Sequence, residues 1–188
     1  SVDGTREILN QLQSHYKFLF LKHKKNLGKG SAIRTGLAKT TGDLVIIQDA
    51  DLEYYPEEYP KLLEPFFKNQ ADVVYGSRNL VDNPRFSKVY FLGGKTITFI
   101  FNVLFGTKIT DINTGYKVFK SEILKSLDLK VDGFSFCEEA TCKIVKKGYK
   151  IKEVAIQYSP MSFEEGKKIK WWRDGAKSLF TMIRCRLF

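Results

Sequence analysis

Leu44-Val45-Ile46-Ile47-Gln48-Asp49-Ala50-Asp51-Leu52-Glu53 is the stretch that decides the fold. Its opening apolar run has no polar alternation, the pattern of a strand buried on both faces beneath helices. The run ends at Gln48, and two carboxylates follow two residues apart. In extended chain that spacing projects Asp49 and Asp51 to the same side, where they can face one cation or diphosphate. Ligands of open α/β sheets gather beyond the carboxyl ends of strands, which is where this pair is expected. An Asp-x-Asp alone reads equally well as an acidic loop, so its surroundings carry the argument.

Upstream, Phe18 to Leu21 reads as a short strand, and His23 to Lys29 as a basic loop with Asn26 and Gly28 as turn residues. Ser31 to Lys39 reads as a helix with Ala32, Ile33, Gly36 and Leu37 on one face and Gly42 past its end. Before these, Asp3 or Thr5 can cap a helix running to about Gln13. Downstream, Pro56 opens a helix from Glu57 to about Lys68, and Asp72 to Gly76 is the next strand. Strands and helices alternating at this spacing predict an α/β fold with a mainly parallel sheet flanked by helices. Lys88 to Phe105 is expected to be helical, Asp111 to Phe119 a turn and strand, Glu139 to Lys147 a helix closed by Gly148, and Ile151 to Tyr158 a strand. No repeat or linker interrupts the 188 residues, so one domain is expected.

Thirty-one Lys and Arg against 21 Asp and Glu leave a net charge of +10, which favours polyanionic partners: nucleic acid, an anionic membrane surface or phosphorylated small molecules. Cys137, Cys142 and Cys185 lack CxxC spacing, and with only His15 and His23 beside them a zinc site is not expected. Three thiols in this pattern suit a reducing cytosolic setting. No run of about 18 apolar residues spans a bilayer. The nearest approach, Val89 to Leu92 and then Ile97 to Phe105, is broken by Gly93, Gly94, Lys95 and Asn102. That segment suits either a core helix or a helix lying in the bilayer interface. Trp171 and Trp172 beside Lys167, Lys168, Lys170 and Arg173 form a second interfacial candidate. No RNP-like or zinc-finger pattern supports a nucleic-acid partner.

Several motifs stand in order along the chain: Asn26-Leu27-Gly28-Lys29-Gly30-Ser31-Ala32-Ile33-Arg34-Thr35-Gly36, Gly42-Asp43, Asp49-Ala50-Asp51-Leu52-Glu53 with Pro56, and Gly76-Ser77-Arg78. Asp111-Ile112-Asn113-Thr114-Gly115-Tyr116-Lys117, Gly133-Phe134-Ser135-Phe136, Glu139 and Glu153-Val154 continue the series. Together they resemble family-2 glycosyltransferases over nearly the whole chain, and most closely the dolichyl-phosphate and polyprenyl-phosphate mannosyl- and glucosyltransferases. The resemblance implies a GT-A fold and inverting transfer of a hexose from a UDP- or GDP-sugar to a polyprenyl phosphate. It also implies a donor and metal half at 1–87, an acceptor and membrane-interface half at 88–188, and a peripheral position on the cytosolic side of a membrane.

By the same resemblance, Asp49 and Asp51 hold Mg²⁺ or Mn²⁺ at the diphosphate, with Glu53 standing where close relatives often carry Gln. Asp3, Gly28, Lys29, Asp49, Ala50 and Asp51 bind the donor. Arg78, Arg85, Ser87 and Lys117 hold the acceptor phosphate, Lys117 replacing a common Arg. Asp49, Asp51, Asp111 and Glu139 form the catalytic set, and Glu138 replaces a residue that is often Pro. Asp111 either positions substrate or caps its turn. A phosphate acceptor is already ionised near neutral pH and needs no strong base, whereas a sugar hydroxyl acceptor would call on one of these acids. Transfer to a sugar hydroxyl and a non-enzymatic basic module binding membrane or RNA are the alternatives.

Two departures from the family pattern bear on these expectations. The family opens with strands before a Gly-Ser-x-Asp-Gly-Thr motif, and this sequence starts inside that motif, so strands that help hold the base are expected to be missing. Met161 stands where the tail motif usually has Arg.

Overall fold

The computed structural model describes residues 4–161 and 171–188, the side chains of Trp171 and Trp172 excepted. Its central sheet contains β1 (Leu44–Ile47), β2 (Val73–Ser77), β3 (Lys117–Lys120) and β4 (Ile151–Ala155), in the spatial order β1-β3-β2-β4. β2 and β4 are parallel, with Tyr75 opposite Glu153. β3 is antiparallel to both neighbours, pairing Phe119 with Val45 on one side and with Val73 on the other.

β1, β2 and β4 therefore share a direction, as expected of a mainly parallel sheet, and β3 is the reversed member. An apolar run predicts a strand but carries no record of its direction. Direction is set here by the turn before Lys117, which brings the chain in at the rim where β1 and β2 end. That reversal delivers residues 111–116 to the same rim as Asp49.

Alternation along β2 divides the core between the two faces of the sheet. Val73 and Tyr75 join Ile47, Phe119, Phe136 and Ile144 on one face. Val74 joins Val118, Leu62, Phe66 and Ile156 on the other. The first face is covered by α2 (Lys29–Leu37), α5 (Ser121–Lys125) and α6 (Phe136–Lys146), and the second by α3 (Tyr59–Phe67). A third cluster joins α6 to α4 (Lys88–Phe105) and α7 (Trp171–Leu187) through Phe101, Ile112, Cys142 and Met182. Burying side chains of this size stabilises the fold by about 1.5–3 kcal/mol each.

The helix expected after Pro56 begins as a short 3-10 turn, Pro56–Glu58, before α3. At the start of the described chain, α1 (Thr5–His15) follows Gly4, whose φ is 79°, and has no side-chain cap. Asp3 lies outside the described residues. Phe18 to Leu21 is not a strand: no described strand lies beside it, and Phe18, Leu19 and Leu21 are exposed. An apolar run becomes a strand only where another strand satisfies its N–H and C=O groups. No helix among the described residues is long and apolar enough to cross a membrane.

Candidate active site

α2 is aimed by two close approaches. Gly28 caps it with φ 94°, and its N–H donates to Asn26 Oδ1 at 2.9 Å. A Cβ at Gly28 or Gly30 would run into the backbone carbonyls of Asp132 and Val131. Arg34 fastens the same contact, donating to Val131 O at 2.7 Å and to the Asp132 carboxylate. The start of α2 is thus pinned, and Lys29 reaches Asp49 Oδ2 at 2.6 Å.

Asp49 and Asp51 follow β1 directly. Burial, then the charges of Glu53 and Asp49, push the Asp51 carboxyl above the usual aspartate range. Negative charge crowded in this way would be relieved by a cation, and an all-oxygen donor set suits Mg²⁺ or Mn²⁺. Among the described residues no three His, Cys, Asp or Glu side chains form a metal-holding group. Asp49 and Asp51 therefore fit a site completed by substrate oxygens and water, the usual arrangement for Mg²⁺. Glu53 lines the same cavity, and its Oε1 also accepts the Met161 N–H at 2.9 Å, which ties the third carboxylate to the 158–161 segment.

The turn before β3 closes over this pair. The Gly115 N–H donates to the Tyr54 hydroxyl at 2.7 Å. A Cβ at Gly115 would meet Asp49 Oδ2 and the Tyr54 ring, each at 2.8 Å.

Four residues earlier, Asp111 takes a two-pronged ion pair from Arg78, Nε to Oδ2 at 2.7 Å and Nη2 to Oδ1 at 2.8 Å. Burial alone would raise the Asp111 pKa, but the Arg78 guanidinium outweighs it and holds the carboxyl below its usual range. Glu153 on β4 fixes this arrangement from behind. Its carboxylate accepts the Thr110 N–H at 2.8 Å, the Thr110 hydroxyl at 3.0 Å and the Asp111 N–H at 3.0 Å. The Tyr158 ring lies under the Arg78 guanidinium, 5.0 Å to its centroid.

One cavity of about 860 Å³ joins these groups, lined by Lys29, Asp49, Asp51, Arg78, Arg85 and Ser87. Its wall continues onto α4 through Val89, Phe91 and Leu92. Arg85 stacks on Phe91 at 4.2 Å and is loosely held by Asp82 at 3.9 Å. Ser87 is the N-cap position of α4.

Other expected residues are placed differently. Lys117 is fully buried, donating to Ile112 O at 2.9 Å and Thr114 O at 2.6 Å beneath the Tyr75 ring. It ties down the 111–115 turn and is not placed to meet an acceptor phosphate. Glu139 accepts the N–H groups of Lys130 and Val131 and pairs with Lys143 at 2.8 Å, so it braces a loop outside the cavity. Of Glu138 and Glu139 on α6, only Glu138 lines the cavity, together with its neighbour Cys137. Gly28 and Ala50 do not line the cavity; Gly28 acts by shaping the start of α2.

Tyr54, Asn113 and Glu138 are cavity residues that sequence reasoning did not select. The motif around Asp111 contains Asn113, and the helical period could have flagged Glu138 as the alternative to Glu139. Nothing local marks Tyr54.

Residues 1–128 match the family described as Glycosyl transferase family 2. A UDP-N-acetylglucosamine–dolichyl-phosphate N-acetylglucosaminyltransferase of Methanococcus voltae is 30% identical over 81% of this chain and 64% of its own length. A dolichol-phosphate mannosyltransferase of Pyrococcus furiosus is 30% identical over 85% of this chain and 45% of that protein. The chain thus spans under two thirds of each. Among solved structures, glucosyl-3-phosphoglycerate synthase from Mycobacterium tuberculosis, crystallised with Mn²⁺, UDP-glucose and phosphoglyceric acid, superposes with a TM-score of 0.73. It is 17% identical, covering all of this chain and 66% of that one, which establishes a GT-A-like fold.

Proposed function

The chain belongs to glycosyl transferase family 2, and from that premise we propose that it moves a hexose from a nucleoside diphosphate sugar to a polyprenyl phosphate, with inversion at the sugar carbon. The observation that carries this reading is that one cavity is lined by the Asp49 and Asp51 carboxylates, the Arg78 and Arg85 guanidinium groups and apolar residues of α4. That set of surfaces suits the reactants: diphosphate, phosphate, hydrocarbon. The names of the Methanococcus and Pyrococcus relatives support a dolichyl phosphate acceptor.

In the proposed reaction the acceptor phosphate oxygen attacks the anomeric carbon as the bond to the diphosphate breaks. A bound Mg²⁺ or Mn²⁺ supplies charge stabilisation to the departing diphosphate. Asp49 and Asp51 hold the donor end, and Lys29, already at Asp49, adds a fixed cation beside the phosphates. Asp111 orients Arg78 and leaves part of its fork open to the cavity, while Arg85 adds a more exposed cation. Asp111 is ionised and committed to Arg78, a poor state for taking a proton, which favours a phosphate acceptor over a hydroxyl.

A peripheral membrane contact accompanies this reading. On α4, Val89, Leu92, Phe99 and Val103 form an exposed stripe at helical spacing, beside the cavity mouth. The side chains of Lys167, Lys168, Lys170, Trp171 and Trp172, the second interfacial candidate, lie outside the described residues.

The test is transfer of radiolabel from UDP-glucose, UDP-N-acetylglucosamine or GDP-mannose to polyprenyl phosphate in vesicles with Mn²⁺. Label is expected in the lipid phase and to disappear with EDTA. Label that stays in water with every donor overturns the proposal.

A further inference from the structure

We propose that Glu138 and Asn113 form a hydroxyl-reading subsite for the hexose of the donor, an inference that rests on the transfer reaction proposed above. Both line the cavity, and each carries a buried acceptor without a hydrogen-bond partner among the described residues, Glu138 Oε2 and Asn113 Oδ1. Glu138 is 3% exposed, so solvent does not serve it. Buried polar atoms are nearly always paired, and an orphan carboxylate oxygen on a cavity wall marks the place of a ligand that brings a donor. Ser178 on α7 lines the same cavity as Glu138.

The position of the pair selects among the reactants. Asn113 lies between Asp111, which holds Arg78, and Gly115, which rests against Asp49. Asn113 thus lies on the short turn whose two ends contact Arg78 and Asp49, and it lines the cavity they share, where the transferred sugar must lie. Lys117 fixes that turn by bonding the carbonyls on either side of Asn113, those of Ile112 and Thr114. A hydrocarbon chain offers no donor. Hexose hydroxyls offer donors, and acceptors held in place discriminate strongly against a sugar lacking the right one. Glu138 stands on the first turn of α6.

Calorimetric titration of the full chain in Mn²⁺ tests this with UDP, GDP, UDP-glucose, UDP-N-acetylglucosamine, GDP-mannose and deoxy analogues of the preferred sugar. Glu138→Gln and Asn113→Ala are each expected to weaken the preferred nucleotide sugar about 10- to 100-fold while leaving the bare nucleotide within about twofold. One deoxy analogue is expected to bind wild type poorly and to lose nothing further in Glu138→Gln. Equal weakening of nucleotide and nucleotide sugar, or lost turnover at unchanged donor affinity, overturns the subsite. Asn113→Ala carries the test if Glu138→Gln loses its thermal transition. Wild type that binds none of these compounds defeats the transfer reading itself, a result seen before any variant is made.

Discussion

Arg78 and Asp111 grip one another with two parallel hydrogen bonds, 2.7 and 2.8 Å, across 33 residues of sequence. The Arg78 backbone N–H adds a third bond to Asp111 Oδ2 at 3.2 Å. The pair joins the end of β2 to the turn before β3, the two segments that wall the cavity beyond Asp49. Its geometry is the fork that arginine makes and lysine cannot.

Breaking the pair from one side strands a buried charge. Asp111→Ala is expected to cost about 3 kcal/mol, the low end for a buried ion pair because the Arg78 side chain keeps 24% exposure. Urea unfolding measures it. Arg78→Lys is expected to cost less stability and still to lower transfer strongly, since the fork is lost.

The same pair sets an acid limb of stability. The folded pKa of Asp111 is depressed, so its stabilisation is present above the ordinary carboxylate pKa and drains away as pH falls through the folded value. Wild type should lose urea resistance on acidification below the usual aspartate range more steeply than Asp111→Ala. Neighbouring Glu153 is shifted upward by burial and in part by the Asp111 charge, so its contribution runs the other way and is smaller in Asp111→Ala. Parallel midpoints for the two proteins from pH 5 to 2 would show that the pair contributes nothing.

Lys117 separates a tether from a substrate contact. Lys117→Met removes the donors to Ile112 O and Thr114 O, and is expected to cost about 2–4 kcal/mol for two buried carbonyls left unpaired. Donor and acceptor affinities should fall together as the turn loosens. An increase confined to acceptor KM, at unchanged thermal stability, would restore the phosphate role expected from the resemblance.

Gly115 tests the closeness of the turn to the carboxylate end. Gly115→Ala introduces a methyl 2.8 Å from Asp49 Oδ2. Nucleotide affinity with Mn²⁺ is expected to fall about tenfold, with little change in EDTA, because what moves is the cation's ligand. Asp51→Asn should show the same dependence on the cation more severely. Equal losses with and without Mn²⁺ would point to general damage to the pocket.

Some of the site was legible because the chemistry is written in short spacings. Asp49 and Asp51 are placed by an apolar strand and period-two projection, though that strand is a half-buried edge strand and not one buried on both faces, and Gly28 by a positive-φ turn whose helix then presents Lys29. The boundaries of α4 were readable for the same reason: eighteen residues of helix begin after Ser87 and end at Gly106, whose φ is 66°. Phe18 to Leu21 misled because propensity says nothing about whether a neighbouring strand is there to pair with.

The carboxylates at the end of their apolar strand are what this sequence determined by itself, along with most of the elements from α2 onward and the family. Those features follow from backbone periodicity and turn stereochemistry, which act over a few residues. Tertiary structure alone decided that β3 runs backwards, that Glu138 and not Glu139 faces the cavity, and that Lys117 is a buried tether. It also turned Glu53 toward Met161, 108 residues away. A side chain's partner is settled by which segments pack together and which buried polar groups remain to be paired, and that competition involves the whole chain at once.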